Sequence, residues 1–314
     1  MKYTFLIPAY KRKFLKEALG SVLSQSFQDF NVIVSDDCSP EELKSIVDSF
    51  NDERIRYRRN ESNIGARNLV RHWNLLLKET DAEFIIIASD DDVYHKDFLK
   101  TIDVLQQKYP DADLLRARIQ HINENGEVIW KERPFDENQT PIEAICDNPD
   151  TCIGNYVFKR KTLINKGGFI DFPYAMGSDT ATAMVMSEKG VANTYNIQFS
   201  YRLSSEQISY HSRERNIDKE KLKGALDYYQ WQVDYIRSVI HDDTLFHQKT
   251  LKDFKARIKN VLIGNCRFYY GALSYYSFFK LLKRLKSLDC FNRKLDELGF
   301  IVGYLKSTKW YQKN

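Results

Sequence analysis

The sequence predicts an α/β protein whose mostly parallel central sheet is flanked by helices and followed by a helical C-terminal region. Short apolar runs alternate with segments of helical periodicity over the first hundred residues. Residues 84–88 are apolar on both faces, which is typical of a central parallel strand. Beyond residue 210 the apolar residues recur mainly at helical spacing. Strands that alternate with helices of this length indicate βαβ units with right-handed crossovers.

The predicted strands of the first part are short apolar runs. They cover residues 3–7, 31–35, 55–58 and 84–88, and the first run stops at Pro8. Helical repeats follow at residues 14–23, 43–50, 69–77 and 95–108. The segment Ser39-Pro40-Glu41-Glu42 predicts a helix start, with Ser as the N-cap, Pro in the first turn and Glu three residues after the Ser. Each strand therefore precedes a helix of its own.

The middle third is less regular, and the last third is helical. Asn125-Gly126 predicts a hairpin between residues 113–123 and 126–130, and residues 152–158 form a further predicted strand. A helix is predicted at residues 180–188, and three more at residues 222–240, 251–262 and 269–286. We therefore expect a first domain at residues 1–212, with halves at 1–110 and 111–212, and a helical region at residues 213–314.

Composition excludes several classes of protein. The chain of 314 residues is 43% hydrophobic and 29% charged, and its net charge of +4 is too small to indicate nucleic-acid binding. Its five cysteines form no CxxC pair, which argues against a disulfide framework or a zinc site and favours a reducing compartment. The N-terminus does not resemble a signal peptide, and no apolar run approaches membrane-spanning length. We expect a cytoplasmic protein.

Acidic residues follow two predicted strands, at the edge where parallel sheets bind ligands. Asp36-Asp37 follows the second strand, and Asp90-Asp91-Asp92 follows the central one. Three adjacent carboxylates repel one another unless a cation compensates, and Mn²⁺ or Mg²⁺ commonly does so together with substrate phosphates. Acidic triplets are also common as solvated turns or helix caps. The position after an apolar central strand favours the metal site.

The other candidate residues each have a plain structural alternative. Pro8, Ala9 and Tyr10 offer backbone groups and an aromatic wall to a nucleotide base, although a Pro commonly ends a strand without any binding role. Asp37 is either an acceptor for a base or ribose, or part of a turn. Arg67 lies either near phosphate or in solvent.

Two further candidates lie beyond the first half of the chain. Asp179 is either a helix N-cap or a general base that faces an acceptor. A lone histidine such as His211 is more often structural than a ligand.

These segments together resemble family 2 glycosyltransferases, which have the GT-A fold. The resemblance runs from about residue 3 to residue 212. Its pieces are Ile7-Pro8-Ala9-Tyr10, Leu23-Ser24-Gln25-Ser26-Phe27, Val34-Ser35-Asp36-Asp37-Cys38-Ser39, Asn63-Ile64-Gly65 with Arg67-Asn68, Ser89-Asp90-Asp91-Asp92, Gly167-Gly168-Phe169, Asp179 and Tyr201-Arg202. Each piece is weak alone, but their order and spacing are specific.

The resemblance implies an inverting hexosyltransferase that moves a sugar from a nucleotide-sugar, by default a UDP-sugar. It places Pro8, Tyr10 and Asp37 at the base. It places Asp90 at the ribose and Asp91 at the metal, and it makes Asp179 the catalytic base. Residues 1–110 then form a nucleotide-binding half and residues 111–212 an acceptor-side half.

The sequence departs from the family pattern at two positions. Ser89 replaces the usual first acid, so that an alternative register uses Asp90 and Asp92 as the acidic pair. Ser178 precedes Asp179 where another acid is usual. Two alternative functions stay open: a non-catalytic nucleotide-sugar-binding protein, and a sugar-phosphate nucleotidyltransferase, which ranks low because the loop after the first strand has no Gly.

The expected acceptor is a glycan or glycolipid of cell-envelope synthesis. Residues 267–286 mix aromatic side chains with a basic end. Such a segment is either an amphipathic helix on the inner face of the membrane or a helix that packs in the core or in a homodimer. We expect packing slightly more than membrane contact.

Overall fold

In the computed structural model the chain forms two compact units, Met1–Asp171 with Ser178–Gln207, and Phe172–Gly177 with Ile208–Asn314. The structure describes residues 1–147, 152–205, 207–208, 214–239, 252, 267–287 and 294–313.

The first unit contains one mixed sheet. In chain order its described strands are β1 (Tyr3–Ala9), β2 (Phe30–Asp36), β3 (Ile55–Arg59), β4 (Phe84–Ile87), β5 (Val93–Tyr94), β6 (Leu114–Ile122), β7 (Val128–Lys131), β8 (Asn138–Gln139), β9 (Tyr156–Lys159) and β10 (Val191–Arg202). They lie in the order β3-β2-β1-β4-β9-β6-β10-β5, with β7 paired to β6 and β8 paired to β10. Strands β1 to β4 pair in parallel, and β9 runs antiparallel to both β4 and β6. The first part of the chain therefore supplies a parallel half-sheet, as predicted.

Helices connect these strands. The described helices of this unit are α1 (Leu15–Leu23), α2 (Lys44–Asp48), α3 (Leu69–Leu76), α4 (Phe98–Lys108), α5 (Pro141–Asp147), α6 (Arg160–Asn165) and α7 (Ser178–Met186). The apolar stripes of α1 and α4 are buried with alternate residues of β1 and β2 in one core, which includes Phe5, Val32 and Phe98. The sequence prediction of apolar strands and amphipathic helices is confirmed for this part.

Strand β1 continues through Pro8 to Ala9, so the expectation that it stops at Pro8 is wrong. The carbonyl of Leu6 accepts a hydrogen bond from the Ala88 N–H (2.8 Å), which places this side of β1 against β4. The backbone of Pro8 faces the same side two residues later, beyond the end of β4 at Ile87. The missing N–H of Pro8 therefore removes no hydrogen bond from the sheet.

The predicted helix start at Ser39 is also wrong, because α2 begins at Lys44. The Ser39 hydroxyl donates to the carbonyl of Tyr10 (2.6 Å) and accepts from the Glu41 N–H (3.1 Å). Ser39 therefore stabilises the turn after β2 and joins it to the loop after β1. The strand predicted from residue 152 begins only at Tyr156, after a 3₁₀ helix at Ile153–Asn155.

The second unit is helical in its described part. It contains a 3₁₀ helix at Pro173–Ala175 and the helices α8 (Arg215–Val239), α9 (Arg267–Tyr270), α10 (Tyr275–Ser287) and α11 (Lys294–Lys313). The long helix predicted from residue 222 is confirmed, whereas the helix predicted at residues 251–262 lies outside the described residues except at 252. The helix predicted at residues 269–286 is broken between α9 and α10. None of the helices that the structure describes is long and apolar enough to span a bilayer.

A break at Gly271 brings the last helices together. A Cβ at this glycine would lie 2.4 Å from the backbone of Ser307, so only glycine permits the close approach of α11. Phe278 of α10 stacks on Tyr304 of α11 with ring centroids 4.1 Å apart, and Tyr270 lies 5.2 Å from Phe300. These rings are buried, so part of the aromatic segment forms core, as aromatic helix stripes usually do.

Candidate active site

The parallel register brings the ends of three strands to one edge of the sheet. Ala9 at the end of β1 lies opposite Asp36 at the end of β2, and the Asp37 N–H donates to the Ala9 carbonyl (2.8 Å). On the other side of β1, β4 ends just before Ser89. Tyr10, Asp37 and the acidic triplet therefore meet at one edge, as the strand pattern predicted.

Asp90 fixes the loop after β1. Its buried Oδ2 accepts hydrogen bonds from the N–H groups of Tyr10 and Lys11, both at 2.8 Å. Burial raises the pKa of Asp90, while the Lys11 charge opposes this shift and the Asp91 charge adds to it. Much of the hydrogen-bonding capacity of Asp90 is therefore used within the protein.

Lys11 is a cation of this edge that the sequence analysis did not single out. Its ammonium Nζ lies 3.0 Å from Asp91 Oδ2 and 3.7 Å from Asp90 Oδ1. Two of the three carboxylates thus share a counter-ion from the neighbouring loop. The signal available in the sequence was that the loop after the first strand carries Lys11-Arg12-Lys13.

Asp92 points away from this pair, toward β10. Its Oδ1 accepts a hydrogen bond from the Arg202 N–H (2.9 Å), and its buried Oδ2 has no hydrogen-bond partner within the described part of the chain. Burial, followed by the charge of Asp91, raises the pKa of Asp92 well above its usual range, while hydrogen bonds from the Arg202 N–H and the Ser89 side chain oppose this shift. Asp92 therefore carries an unusual cost that a bound cation would relieve.

Asp37 organises the loop before α3. Its carboxylate accepts hydrogen bonds from the Asn60 amide (2.8 Å), the Ile64 N–H (2.8 Å) and the Gly65 N–H (3.0 Å). Arg67 is exposed on a 3₁₀ helix, Ala66–Asn68, directly after this loop. Asp37 is thus close to Tyr10 and the loop leading to Arg67, and it has a positioning role that the sequence analysis did not predict.

Asp179 lies in the first turn of α7 and is half-buried. Its Oδ1 accepts from the Thr180 N–H at 2.8 Å. Burial raises the pKa of the Cys152 thiol well above its usual range, and the charges of Asp92 and Asp179 add to this shift. The charges of Asp92 and Asp179 thus act on the same thiol.

The Gly167-Gly168-Phe169 turn holds α7 in this position. The Asn74 side chain of α3 accepts from the Phe169 N–H (2.8 Å) and donates to the Phe169 carbonyl (3.0 Å). Gly168 has φ of +91°, and a Cβ there would lie 2.4 Å from the Asn74 Oδ1, so glycine is required. The next residue, Ile170, donates its N–H to the Thr182 hydroxyl of α7 (3.0 Å).

The structure brings most of the predicted site residues to one edge. Pro8, Ala9 and Tyr10 adjoin Asp90 and Asp91. Of the remaining candidates, Asp37 lies beside the same loop and Asp92 is turned toward β10. Asp179 lies in the first turn of α7, and Arg67 is exposed. His211 lies outside the described residues.

The oxygen ligands at this edge decide whether the implied metal fits. Among the residues that the structure describes, no cluster of three or more His, Cys, Asp or Glu side chains is arranged to hold a metal ion. The carboxylate oxygens of Asp91 nevertheless suit a hard divalent cation, whereas Asp92 is turned toward β10. Mg²⁺-type sites often use only one or two carboxylates and take further ligands from substrate phosphates. The residues fit a metal that is shared with a phosphorylated substrate rather than a preformed cage.

Comparison with known sequences identifies the family. The family model described as "Glycosyl transferase family 2" matches residues 4–170. The poly(ribitol-phosphate) beta-N-acetylglucosaminyltransferase TarS of Staphylococcus aureus is 28% identical over 138 residues, which are 42% of this chain and 24% of TarS. The GalNAc(5)-diNAcBac-PP-undecaprenol beta-1,3-glucosyltransferase of Campylobacter jejuni is 33% identical over 104 residues, which are 32% of this chain and 33% of that protein. The chain thus matches only about a quarter to a third of the length of these relatives.

Solved structures show the same fold. S. aureus TarS 1–349 in complex with UDP-GlcNAc gives a TM-score of 0.59 at 18% identity, covering 98% of this chain and 92% of that chain. The mannosyltransferase PcManGT from Pyrobaculum calidifontis, in complex with GDP-Man and Mn²⁺, gives a TM-score of 0.53 at 16% identity, covering 98% and 87%. The predicted GT-A architecture is confirmed.

Proposed function

Since the chain belongs to glycosyl transferase family 2, we propose that it transfers a sugar from a nucleoside-diphosphate sugar to a hydroxyl group of a glycan or glycolipid. The observation that carries this proposal is the convergence of Tyr10, Asp37 and Asp91 at one sheet edge. A nucleotide and a phosphate-bound cation both suit such an edge.

The proposed donor is a UDP-sugar and the proposed pathway is cell-envelope glycan synthesis. TarS has been solved with UDP-GlcNAc, and the names of both relatives describe transfer to envelope-type acceptors. These names support the class of substrate; the sugar and the linkage are left to experiment.

In the proposed mechanism the uracil lies against Tyr10 and is recognised by the Asp37 carboxylate. Tyr10 suits this role because its side chain is 44% exposed, whereas most of β1 is buried. Pro8 and Ala9 supply the adjoining backbone, and Arg67 attracts the phosphates. Binding in this way orients the anomeric carbon toward the acceptor.

Asp91 is the residue that we assign to the metal, with Asp92 in support. When bound there, Mn²⁺ or Mg²⁺ stabilises the negative charge of the departing diphosphate as a Lewis acid. We assign Asp90 mainly to holding the loop after β1, because its Oδ2 already accepts two backbone N–H groups.

Asp179 is the proposed base. Its carboxylate accepts the proton of the acceptor hydroxyl as that oxygen attacks the anomeric carbon from the face opposite the diphosphate, so the configuration inverts. General-base assistance of this kind contributes about 10²–10⁴-fold to the rate.

The proposal is tested in two steps with the full chain. A thermal-shift screen of UDP-, GDP- and dTDP-sugars with Mn²⁺ identifies the donor, since a ligand at about 100 times its Kd stabilises by about 2.7 kcal/mol. Release of the corresponding nucleoside diphosphate, UDP for the proposed donor, is then measured with candidate acceptors, with Mn²⁺ and with a chelator.

Each outcome has a clear meaning. Acceptor-dependent UDP release supports the proposal. Donor binding without transfer or hydrolysis across the acceptor panel supports the alternative of a non-catalytic binding protein. Release of pyrophosphate from a nucleoside triphosphate and a sugar phosphate indicates a nucleotidyltransferase.

A further inference from the structure

We propose that Lys11 is a built-in counter-cation of the acidic edge, which a divalent metal must displace from Asp91 and which makes metal binding depend on donor phosphates. This inference rests on the proposed function, because it takes Asp91 as the metal ligand.

The geometry places the ammonium where a metal would be needed. Lys11 Nζ lies 3.0 Å from Asp91 Oδ2 and 3.7 Å from Asp90 Oδ1, so one positive charge already compensates two carboxylates. The backbone of Lys11 is held at this edge, since its N–H donates to Asp90 Oδ2 at 2.8 Å. The lysine is therefore held at the acidic edge by both its main chain and its side chain.

A divalent cation on Asp91 and the Lys11 ammonium compete for the negative charge of the same carboxylate. Two positive groups that approach one carboxylate also repel each other. The Lys11 side chain is 23% exposed, and its four-carbon stem is flexible, so the ammonium can withdraw while the loop stays in place. Metal binding therefore includes the cost of breaking the Lys11–Asp91 ion pair.

Donor phosphates offset this cost. A diphosphate beside the metal presents anionic oxygens that accept the displaced ammonium. Metal and nucleotide then strengthen each other's binding through Lys11, in addition to their direct contact, and the coupling is reciprocal. The expected behaviour is weak metal binding by the protein alone and much stronger binding with nucleotide present.

The test measures Mn²⁺ binding without any turnover, by the electron paramagnetic resonance signal of free Mn²⁺, with and without UDP. The variants are Lys11→Gln, which keeps length and polarity without charge, and Lys11→Arg, which keeps the charge. Lys13→Gln is the matched control, because Lys13 pairs with Glu124 on the surface (2.6 Å) instead of with the acidic triplet. Lys11→Gln combined with Asp91→Asn removes the metal ligand as well.

We expect Lys11→Gln to bind Mn²⁺ about tenfold more tightly than the wild type in the absence of UDP, because like-charge repulsion is removed. UDP should enhance Mn²⁺ binding less in this variant than in the wild type. Lys11→Arg and Lys13→Gln should keep the wild-type affinity, and the double variant should lose the gain.

Equal Mn²⁺ affinity of Lys11→Gln and the wild type overturns the inference, as does a gain that survives Asp91→Asn. If every variant binds UDP but none binds Mn²⁺, the inference fails while the proposed nucleotide site stands. If folded protein binds neither UDP nor Mn²⁺, the proposed function itself fails. Circular dichroism of each variant establishes folding. If Lys11→Gln does not fold, the wild type provides the second reading, because equal Mn²⁺ affinity with and without UDP overturns the inference.

Discussion

Arg202 donates a hydrogen bond from Nε to the main-chain carbonyl of Asp91 across 2.8 Å, which joins the end of β10 to the acidic segment after β4. The Arg202 side chain is buried, lies 4.4 Å from the ring centroid of Phe14 and approaches Glu17 to 2.7 Å. The position of the acidic triplet is thus set by an arginine that is distant in sequence. Arg202 holds the backbone of Asp91, while the Asp91 carboxylate faces Lys11.

Arg202→Lys should destabilise the fold by about 2–3 kcal/mol, because a single ammonium cannot replace the several charge-assisted hydrogen bonds of the guanidinium. The free energy of unfolding is measured with urea. Arg56→Lys is the matched control, since Arg56 pairs with Glu79 at the surface, where ion pairs contribute little. Equal stability of the two variants would show that Arg202 is not a structural clamp.

Asp179→Asn should lower turnover by about 10²-fold or more while leaving donor affinity nearly unchanged, because the amide cannot accept the acceptor proton. The measurement is steady-state transfer together with calorimetry of the donor. Asp171→Asn, an exposed acid shortly before α7, serves as control. A collapse of donor affinity with normal turnover at saturation would make Asp179 a donor ligand or a structural residue instead.

Asp37→Asn should weaken UDP binding by about 1–3 kcal/mol, the cost of losing a charged acceptor. Since Asp37 also holds the Asn60–Gly65 loop, the experiment compares UDP with inorganic pyrophosphate by calorimetry in the presence of Mn²⁺. Base recognition predicts that only UDP affinity falls. An equal loss for both ligands would assign Asp37 to loop positioning alone. Asp48→Asn, on the exposed side of α2, is the control.

His72 should make folding stability depend on pH. It is buried with Nε2 2.8 Å from the Ser35 hydroxyl, and burial lowers its pKa; the Asp37 charge opposes this shift and the Arg58 charge reinforces it. The pKa of His72 in the folded protein lies below the unfolded value of about 6.5. As the pH falls, the unfolded chain therefore binds more protons than the folded chain, and stability is lost below about pH 6.5.

The measurement is urea unfolding between about pH 5.5 and pH 7.5, a range that brackets the unfolded pKa of histidine. His72→Gln should lose less stability than the wild type on acidification, whereas His95→Gln, at an exposed position, should follow the wild type. A steeper acid loss in His72→Gln than in the wild type would contradict the sign of this shift. The raised pKa values of Asp90 and Asp92 change stability in the opposite direction. This contribution is the same in the wild type and in both variants.

One face of α10 bears on the membrane-contact alternative. Tyr275, Tyr276 and Phe279 are 70%, 78% and 39% exposed, and Lys280 and Lys283 lie on the same side of the helix. If this face contacts a membrane, the full chain sediments with anionic vesicles at low salt, and binding weakens as salt rises. Lys280→Glu with Lys283→Glu should abolish sedimentation.

The control for this pair is Lys219→Glu with Lys223→Glu, two exposed lysines one turn apart on α8. This variant should sediment like the wild type. If the wild type does not bind vesicles at low salt, the packing or homodimer interpretation of the segment stands instead, and analytical ultracentrifugation over a range of concentrations tells a dimer from a monomer.

The sequence by itself determined most elements of the parallel half-sheet and predicted where the site would lie. Strand and helix patterns are local, because side-chain periodicity reflects which face of each element is buried. For the same reason, the acidic triplet after the apolar run at residues 84–88 was enough to predict a ligand-binding edge. The misplaced helix start at Ser39 shows the limit, since that hydroxyl bonds to Tyr10, 29 residues earlier in the chain.

Only the tertiary structure decided which charges meet. Lys11 and Asp91 are 80 residues apart, and Arg202 and Asp91 are 111 residues apart. Their contacts depend on strand order, which places β1 beside β4 and returns β10 to the same edge. Local periodicity carries no information about that order, because any pairing of strands buries the same apolar faces. The partners of the three carboxylates are therefore a property of the assembled sheet.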